Sequence, residues 1–153
     1  MTVDSRTNLA RRHPLRVLVI DAHPAIGHGL VRLCGLMPGI QVCGLVTRGE
    51  DGITCAGDTR PDVALVDAEL PGDLSLATIR ALRSCLPRTR IVALGLYPGR
   101  RAAVLAAGAH AFAFKDAGFE ALRAAIVADA DAPFSLPDPG DSASARTPGS
   151  VPA

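Results

Sequence analysis

Apolar and polar residues follow each other along the chain in blocks that predict alternating strands and helices. The most informative block is an unbroken apolar run, Val63–Val66, followed by Asp67 and then by Pro71-Gly72. A continuous apolar run with Val at two of four positions is typical of a central parallel strand that helices cover on both faces. Pro-Gly then favours a turn. We therefore predict a buried strand over 63–66 with Asp67 at its carboxyl end.

Similar patterns predict the remaining elements of the chain. Apolar segments predict further strands over 15–20, 40–46, 91–94 and 109–114. Apolar residues at helical spacing predict helices over 25–36, 50–58, 74–86, 99–107 and 119–130. The helix over 50–58 has the weakest pattern, because it contains two glycines. Five strand-helix units predict an α/β protein with a flavodoxin-like, doubly wound (βα)5 fold, in which helices cover both faces of a five-stranded parallel sheet.

Length and composition limit the chain to one domain with short appendages. The 153 residues are 48% hydrophobic, which suffices for one packed core. We predict this domain over 15–131, a disordered N-terminal arm over 1–14, and a disordered Pro/Ser/Ala-rich tail or linker over 132–153. The net charge of +1 does not indicate a nucleic-acid-binding surface. The chain shows neither a secretory signal nor an apolar run of membrane-spanning length, so we expect a cytoplasmic protein without membrane contact.

The four cysteines do not show the spacing of a metal site. Cys34, Cys43, Cys55 and Cys85 form no CxxC pair and lie in segments that are predicted to be buried. We therefore expect reduced, buried thiols rather than disulfides or metal ligands.

Two predicted strands end in an aspartate, Asp21 after the first strand and Asp67 after the third. In an open α/β sheet, ligands bind in the crevice at the carboxyl ends of the strands. An aspartate in this position also caps turns, which is the structural alternative for Asp67. The second aspartate favours a site over a cap, because both side chains are predicted to face one crevice.

Three segments in this order resemble the receiver domain of two-component response regulators, and within that family the NarL/FixJ subfamily. They are Arg16–Pro24 (RVLVIDAHP), Pro61–Gly72 (PDVALVDAELPG) and Ala107–Asp116 (AGAHAFAFKD). The resemblance covers about residues 15–130. It implies a signalling module in phosphorelay signal transduction and transcription regulation, and not an enzyme.

The resemblance also implies roles for individual residues. In the family, an aspartate after the third strand accepts a phosphoryl group from a histidine kinase, and an acidic pair after the first strand holds Mg2+. A Ser or Thr after the fourth strand and a Lys after the fifth bind the phosphoryl oxygens. Asp67, Lys115 and Asp21 match the acceptor, the lysine and the first acidic residue. Ala22 and Gly95 stand at the second acidic position and the hydroxyl position, so this receiver is atypical.

These departures weaken the expected cofactor site. Mg2+ requires oxygen ligands, and Ala22 supplies none, so we expect no cofactor or weakly bound Mg2+ at Asp21 and Asp67. Glu69, two residues after the acceptor, either replaces part of the missing ligand or is a solvated loop residue. Lys115 either binds phosphate or forms a structural salt bridge with the two aspartates.

The expected switch is also incomplete. In the family the hydroxyl moves toward the phosphoryl group and makes room for an aromatic ring of the fifth strand, here Phe112. Gly95 has no hydroxyl to move and leaves Phe112 room to sit inward permanently; alternatively, Phe112 is an ordinary core residue. His23, His28 and His110 are interpreted as loop histidines, because no Cys/His cluster has metal-ligand spacing.

Two functional hypotheses follow from the sequence. The first is an atypical receiver that acts without phosphorylation, through protein contacts or dimerisation. The second is a working phospho-acceptor that uses Asp67, a histidine kinase and Mg2+. A nucleotide or flavin binder is disfavoured, because no glycine-rich phosphate loop follows the first strand.

The expected partners are a second copy of the chain, and a histidine kinase or another regulator. DNA is expected to be bound only through an output domain that is absent from this chain. The sequence leaves open whether the chain is a stand-alone receiver or the front part of a transcriptional regulator.

Overall fold

A computed structural model describes residues 13–128 and the backbone of residues 134–135, which together form a parallel sheet and its covering helices. The strands are β1 Leu15–Ile20, β2 Ile40–Val46, β3 Val63–Asp67, β4 Arg90–Gly95, β5 Ala111–Phe114 and β6 Phe134–Ser135. The helices are α1 Pro24–Gly35, α2 Gly49–Thr59, α3 Leu74–Cys85, α4 Arg101–Ala107 and α5 Phe119–Val127. A short 3₁₀ turn, Pro98–Arg100, precedes α4.

The strand order is β2-β1-β3-β4-β5-β6, and every pair is parallel. The flavodoxin-like fold predicted from the sequence is therefore confirmed. The two-residue strand β6 pairs with β5 and was not among the predicted strands. The remainder of the predicted tail and residues 1–12 of the predicted arm lie outside the described residues.

Successive side chains of each strand point to opposite faces of the sheet, so the sheet has two apolar faces, and the helices cover both. Val17 and Val19 of β1 belong to the core cluster that includes residues of α1 and α5. Leu18 and Ile20 belong to the cluster that includes residues of α2, α3 and α4. Burial on both faces explains why β3 and β4 are apolar without alternation.

Helix α2 forms although its sequence has a weak helical pattern. Gly52 lies so close to β1 that an added Cβ would be 2.6 Å from Ile20 Cδ1. This contact shows that packing against the sheet, rather than helix propensity, determines the helix here.

The predicted strand over 109–114 and the predicted helix over 99–107 each begin two residues before the corresponding element of the structure. His110 lies before β5 rather than within it, and its Nδ1 accepts the backbone N–H of Ile91 at 2.9 Å. The first residues of the helix predicted over 99–107 form the 3₁₀ turn.

The expectation of four buried cysteines is wrong in part. Only Cys34 is fully buried, and its burial raises the pKa of the thiol to about 11. Cys43 and Cys55 are half-buried and Cys85, at the end of α3, is exposed. The four are free thiols, as predicted.

Within the residues that the structure describes, no helix has both the length and the apolar character needed to cross a membrane.

Candidate functional site

The carboxyl ends of β1, β3 and β5 bring Asp21, Asp67 and Lys115 together. Ile20 of β1 is paired with Val66 of β3, so the aspartates that follow these two residues lie side by side. Lys115 follows β5 directly, and its backbone N–H donates to the carbonyl oxygen of Gly95 at 2.9 Å. The positions of Asp21 and Asp67 agree with the expectation that both aspartates face one crevice, and Lys115 lies between them.

Lys115 forms a buried ionic bridge between the two aspartates. Its Nζ lies 2.8 Å from Asp67 Oδ1 and 2.9 Å from Asp21 Oδ2. The lysine side chain is 4% exposed, and the two carboxylates are no more than 1% exposed. Lys115 is also the only lysine in the sequence. One buried cation thus partly neutralises two buried anions, which leaves the group of three with one net negative charge.

The ion pairs also determine the protonation of Lys115. Burial by itself lowers the pKa of this ammonium group, but hydrogen bonds to Asp67 and Asp21 and the charges of these two carboxylates outweigh it. The pKa of Lys115 is therefore raised above its ordinary value of 10.5. The group is a cation at neutral pH, as a structural salt bridge requires.

Short turns orient both carboxylates. Asp21 Oδ1 accepts the backbone N–H of His23, and Asp67 Oδ1 accepts that of Glu69, each at 2.9 Å. The other oxygen of Asp67, Oδ2, is buried and has no hydrogen-bond partner in the described part of the chain. A buried oxygen without a partner is unusual and leaves one coordination position of this carboxylate open.

His23 lies at the mouth of the crevice, whereas its sequence context predicted an ordinary loop histidine. Its Nδ1 is 3.6 Å from Asp21 Oδ1 and 3.8 Å from Asp67 Oδ2, and its side chain is 60% exposed. Asp21, His23 and Asp67 each offer one ligand atom, and these atoms lie within 4.8 Å of one another. The feature of the sequence that could have indicated a role for His23 in this site is its position two residues after Asp21, which follows a strand. Cys/His spacing gave no such indication.

These residues fit Mg2+ only in part. Asp21 and Asp67 supply carboxylate oxygens, which Mg2+ prefers. Ala22 offers a methyl group where the family resemblance expects a second acidic ligand. The third donor that the fold brings into reach is the imidazole nitrogen of His23, which is not a ligand typical of Mg2+.

The Glu69 carboxylate contacts the loop after β4. Its Oε1 accepts the backbone N–H of Leu96 at 3.0 Å and that of Tyr97 at 3.4 Å. We call this contact, Glu69 Oε1 with the two N–H groups, the Glu69 latch. The carboxylate is thus engaged by the loop, which differs from both roles that the sequence analysis weighed for Glu69.

Gly95 leaves room for two neighbouring groups. A Cβ at this position would lie 2.8 Å from the ring of Phe112 and 3.2 Å from Glu69 Oε1. The Phe112 ring is fully buried and stands edge-on to Phe114, with ring centroids 5.1 Å apart. The ring therefore lies inward against Gly95, which agrees both with a permanently inward switch residue and with an ordinary core residue.

Ser75, for which the sequence pattern gives no signal, fixes the loop after β3. Its buried hydroxyl donates to the carbonyl oxygen of Asp67 at 2.8 Å and accepts the N–H of Leu70 at 3.0 Å. This pair of bonds holds the loop that carries Glu69, and only the three-dimensional structure reveals it.

The comparisons with known proteins all match response regulators. The family model described as "Response regulator receiver domain" matches residues 17–127. Response regulator GacA of Pseudomonas viridiflava is 33% identical over 117 residues, which are 73% of this chain and 53% of that protein. The nitrate/nitrite response regulator protein NarL of Escherichia coli K12 is 32% identical over 120 residues, 77% of this chain and 56% of NarL. The chain thus spans about half the length of these curated relatives.

Solved structures agree with this family. The signal receiver domain of the putative response regulator NarL from Mycobacterium tuberculosis superposes with a TM-score of 0.67 at 30% identity, covering 76% of this chain and 99% of that one. A LuxR-family two-component response regulator from Aurantimonas sp. SI85-9A1 has a TM-score of 0.75 at 23% identity, covering 85% and 94%. The second comparison supports the fold alone.

Proposed function

This chain belongs to the response regulator receiver family of two-component signalling, and we propose that it works as an atypical member whose output does not depend on phosphorylation of Asp67. Its activity in transcriptional regulation would instead be set by protein-protein contacts or by dimerisation. We propose a cytoplasmic location for it.

The Glu69 latch is the observation that carries this proposal. Through the latch an anion of the protein itself already occupies the N–H groups of Leu96 and Tyr97, directly after the hydroxyl position Gly95. A phosphoryl group on Asp67 would bring further negative charge near Glu69. Like charges in a partly buried site repel each other, and this repulsion grows as the distance between them falls. The latch therefore disfavours phosphorylation and holds the loop in one arrangement without it.

Three further features support the same proposal. Gly95 and Ala22 lack the hydroxyl and the carboxylate that the family resemblance implies. Lys115 is already engaged by Asp21 and Asp67. We assign Gly95 and Phe112 to a switch fixed in one position, and Asp67 with Lys115 to a vestigial acceptor site. We assign Glu69 to the loop rather than to the weak or absent Mg2+ site.

A second candidate is a working phospho-acceptor. It is favoured by Asp67 Oδ2, which is buried and has no hydrogen-bond partner within residues 13–128. In this alternative, Asp67 takes a phosphoryl group from a histidine kinase with Mg2+, and Lys115 binds a phosphoryl oxygen.

Beryllofluoride with Mg2+, which mimics an acyl phosphate, separates the two candidates. Tyr97 is the only tyrosine in the sequence, and the sequence contains no tryptophan, so intrinsic fluorescence reports on the latched loop alone. We expect no saturable change in Tyr97 fluorescence or in the amide NMR signals of Gly95 and Leu96. The matched variant Ala22→Asp, which supplies the missing carboxylate, should bind the mimic more tightly than the natural chain.

Stoichiometric acyl phosphorylation of the natural chain by acetyl phosphate, detected by mass spectrometry, would contradict the first candidate. It would establish the second.

We also propose a homodimer as the state in which the receiver acts, with a histidine kinase or another regulator as a further partner. Contact with DNA is assigned to a separate output domain. Light scattering over a concentration series tests the dimer, and a mass of one chain at high micromolar concentration would contradict it.

A further inference from the structure

The mouth of the crevice holds a donor set that the proposed function does not use. We propose that Asp21, His23 and Asp67 bind one divalent transition-metal ion of the Zn2+ class in preference to Mg2+. The proposal concerns the unphosphorylated chain and does not require Asp67 to accept a phosphoryl group.

The distances within this donor set favour a shared ion over direct bonds. His23 Nδ1 lies 3.6 Å from Asp21 Oδ1 and 3.8 Å from Asp67 Oδ2, which is too long for a hydrogen bond. Two ligands of one tetrahedral Zn2+ stand about 3.3 Å apart when the bonds are about 2.0–2.1 Å long. The two separations from His23 exceed this value by a few tenths of an ångström, and the three ligand atoms all lie within 4.8 Å of one another. Rotation of the side chains would therefore have to shorten these separations for all three atoms to bind one ion.

The buried oxygen of Asp67 is an independent indication of a ligand. Asp67 Oδ2 is one of the atoms that face His23, and it has no hydrogen-bond partner among the described residues. The Asp67 side chain is 0% exposed, so bulk water does not compensate for the missing partner. A metal ion at this point would satisfy the oxygen.

Lys115 leaves the required atoms available. It contacts Asp67 Oδ1 and Asp21 Oδ2, whereas the proposed ligands are Asp67 Oδ2 and Asp21 Oδ1. The lysine neutralises one of the two negative charges, and the remaining charge attracts a cation. Because the His23 side chain is 60% exposed, the ion has a path from solvent and positions open for water.

The type of donor selects the metal. An imidazole nitrogen with two carboxylates suits Zn2+ and its neighbours Co2+ and Ni2+, whereas Mg2+ favours an all-oxygen set. The sequence has alanine at position 22 and histidine at position 23, so the third side-chain donor in the cluster is a nitrogen instead of a carboxylate oxygen.

Calorimetric titration of the full chain with Zn2+ and with Mg2+ tests the proposal. We expect one Zn2+ per chain, bound at least about 100-fold more tightly than Mg2+. The variant His23→Ala should weaken Zn2+ binding by at least about tenfold and leave Mg2+ binding unchanged. His28→Ala is the matched control, because His28 is exposed on α1 and lies outside the cluster. Absence of Zn2+ binding, or equal losses in the two variants, overturns the proposal.

Two further measurements test whether His23 is the nitrogen ligand. Co2+ should give visible absorption bands that disappear in His23→Ala, without the near-ultraviolet charge-transfer band of a cysteine ligand. The variant His23→Asp restores an all-oxygen donor set and should raise the affinity for Mg2+ while lowering that for Zn2+. A cysteine-type spectrum that persists in His23→Ala, or an unchanged metal preference in His23→Asp, contradicts the assignment.

Discussion

Lys115 is the residue on which the charge balance of the crevice depends. It is buried between two buried carboxylates and lies within 2.9 Å of both. Removing one member of a buried ion pair costs more than the pair contributes, because the remaining charge is left without compensation. The effect of a substitution here is therefore expected to be large.

We predict that Lys115→Met lowers the free energy of unfolding by about 3–5 kcal/mol, because Asp21 and Asp67 would face each other without a cation. Urea denaturation at neutral pH, followed by circular dichroism, measures the loss.

The double variant Lys115→Met/Asp67→Asn is the control, because it removes one of the two remaining charges. It should be more stable than Lys115→Met by at least about 1 kcal/mol, since residues in direct contact do not act additively. A double variant as unstable as the sum of the single variants would show that charge is not the cause.

The same ion pairs give the protein a defined dependence on alkaline pH. The pKa of Lys115 is higher in the folded chain than its ordinary value of 10.5, so folding favours the protonated amine. The resulting stabilisation is fully present below the ordinary pKa and is lost as the pH rises through the raised folded value. Urea denaturation at a series of alkaline pH values measures this decline, which Lys115→Met should lack.

At the scale of elements, α2 shows how packing can outweigh propensity. Gly52 and Gly57 both weaken the helix intrinsically, but only Gly52 faces the sheet. An added Cβ at Gly52 would lie 2.6 Å from Ile20 Cδ1, whereas a Cβ at the exposed Gly57 would meet no atom within 4 Å. The two glycines are therefore a matched pair in one helix.

We predict opposite effects of alanine at these positions. Gly57→Ala should stabilise the protein by about 0.5–1 kcal/mol through higher helix propensity. Gly52→Ala should destabilise it by about 1–3 kcal/mol, because α2 must move away from β1. Thermal and urea unfolding of both variants check this, and stabilisation of both would show that the contact with Ile20 is easily relieved.

Most helices and strands could be predicted from the sequence, because their apolar runs are long and Pro or Gly residues bound these runs. Strand β6 was missed, because two residues in a Pro- and Ser-rich segment carry no periodic pattern. Of the site, the convergence of Asp21, Asp67 and Lys115 was predictable from the carboxyl ends of parallel strands. The contacts of the Glu69 and His23 side chains were not predictable. They depend on loop geometry and side-chain torsions, which produce no recognisable residue spacing in the sequence.

At the scale of the whole molecule, the Glu69 latch joins the β4–α4 loop to the loop after β3. Ser75 in turn fixes the second loop to the carbonyl oxygen of Asp67. A continuous set of hydrogen bonds thus connects the exposed Tyr97 to the central strand. The loop is expected to unfold together with the core and not before it.

We predict that Tyr97 fluorescence and far-ultraviolet circular dichroism show the same urea midpoint in the natural chain, as two-state unfolding requires. In Glu69→Ala the N–H groups of Leu96 and Tyr97 lose their acceptor, so the fluorescence transition should occur at a lower urea concentration than the dichroism transition. Coinciding transitions in Glu69→Ala would mean that other contacts hold the loop.

The single lysine has a practical consequence for proteolysis. A lysine-specific endoprotease has one target bond in this sequence, between Lys115 and Asp116, at the carboxyl end of β5. Cleavage requires the segment around that bond to leave the sheet, so the digestion rate under native conditions measures how often this edge of the crevice opens. Any ligand that closes the crevice would be detected as slower digestion, without a label.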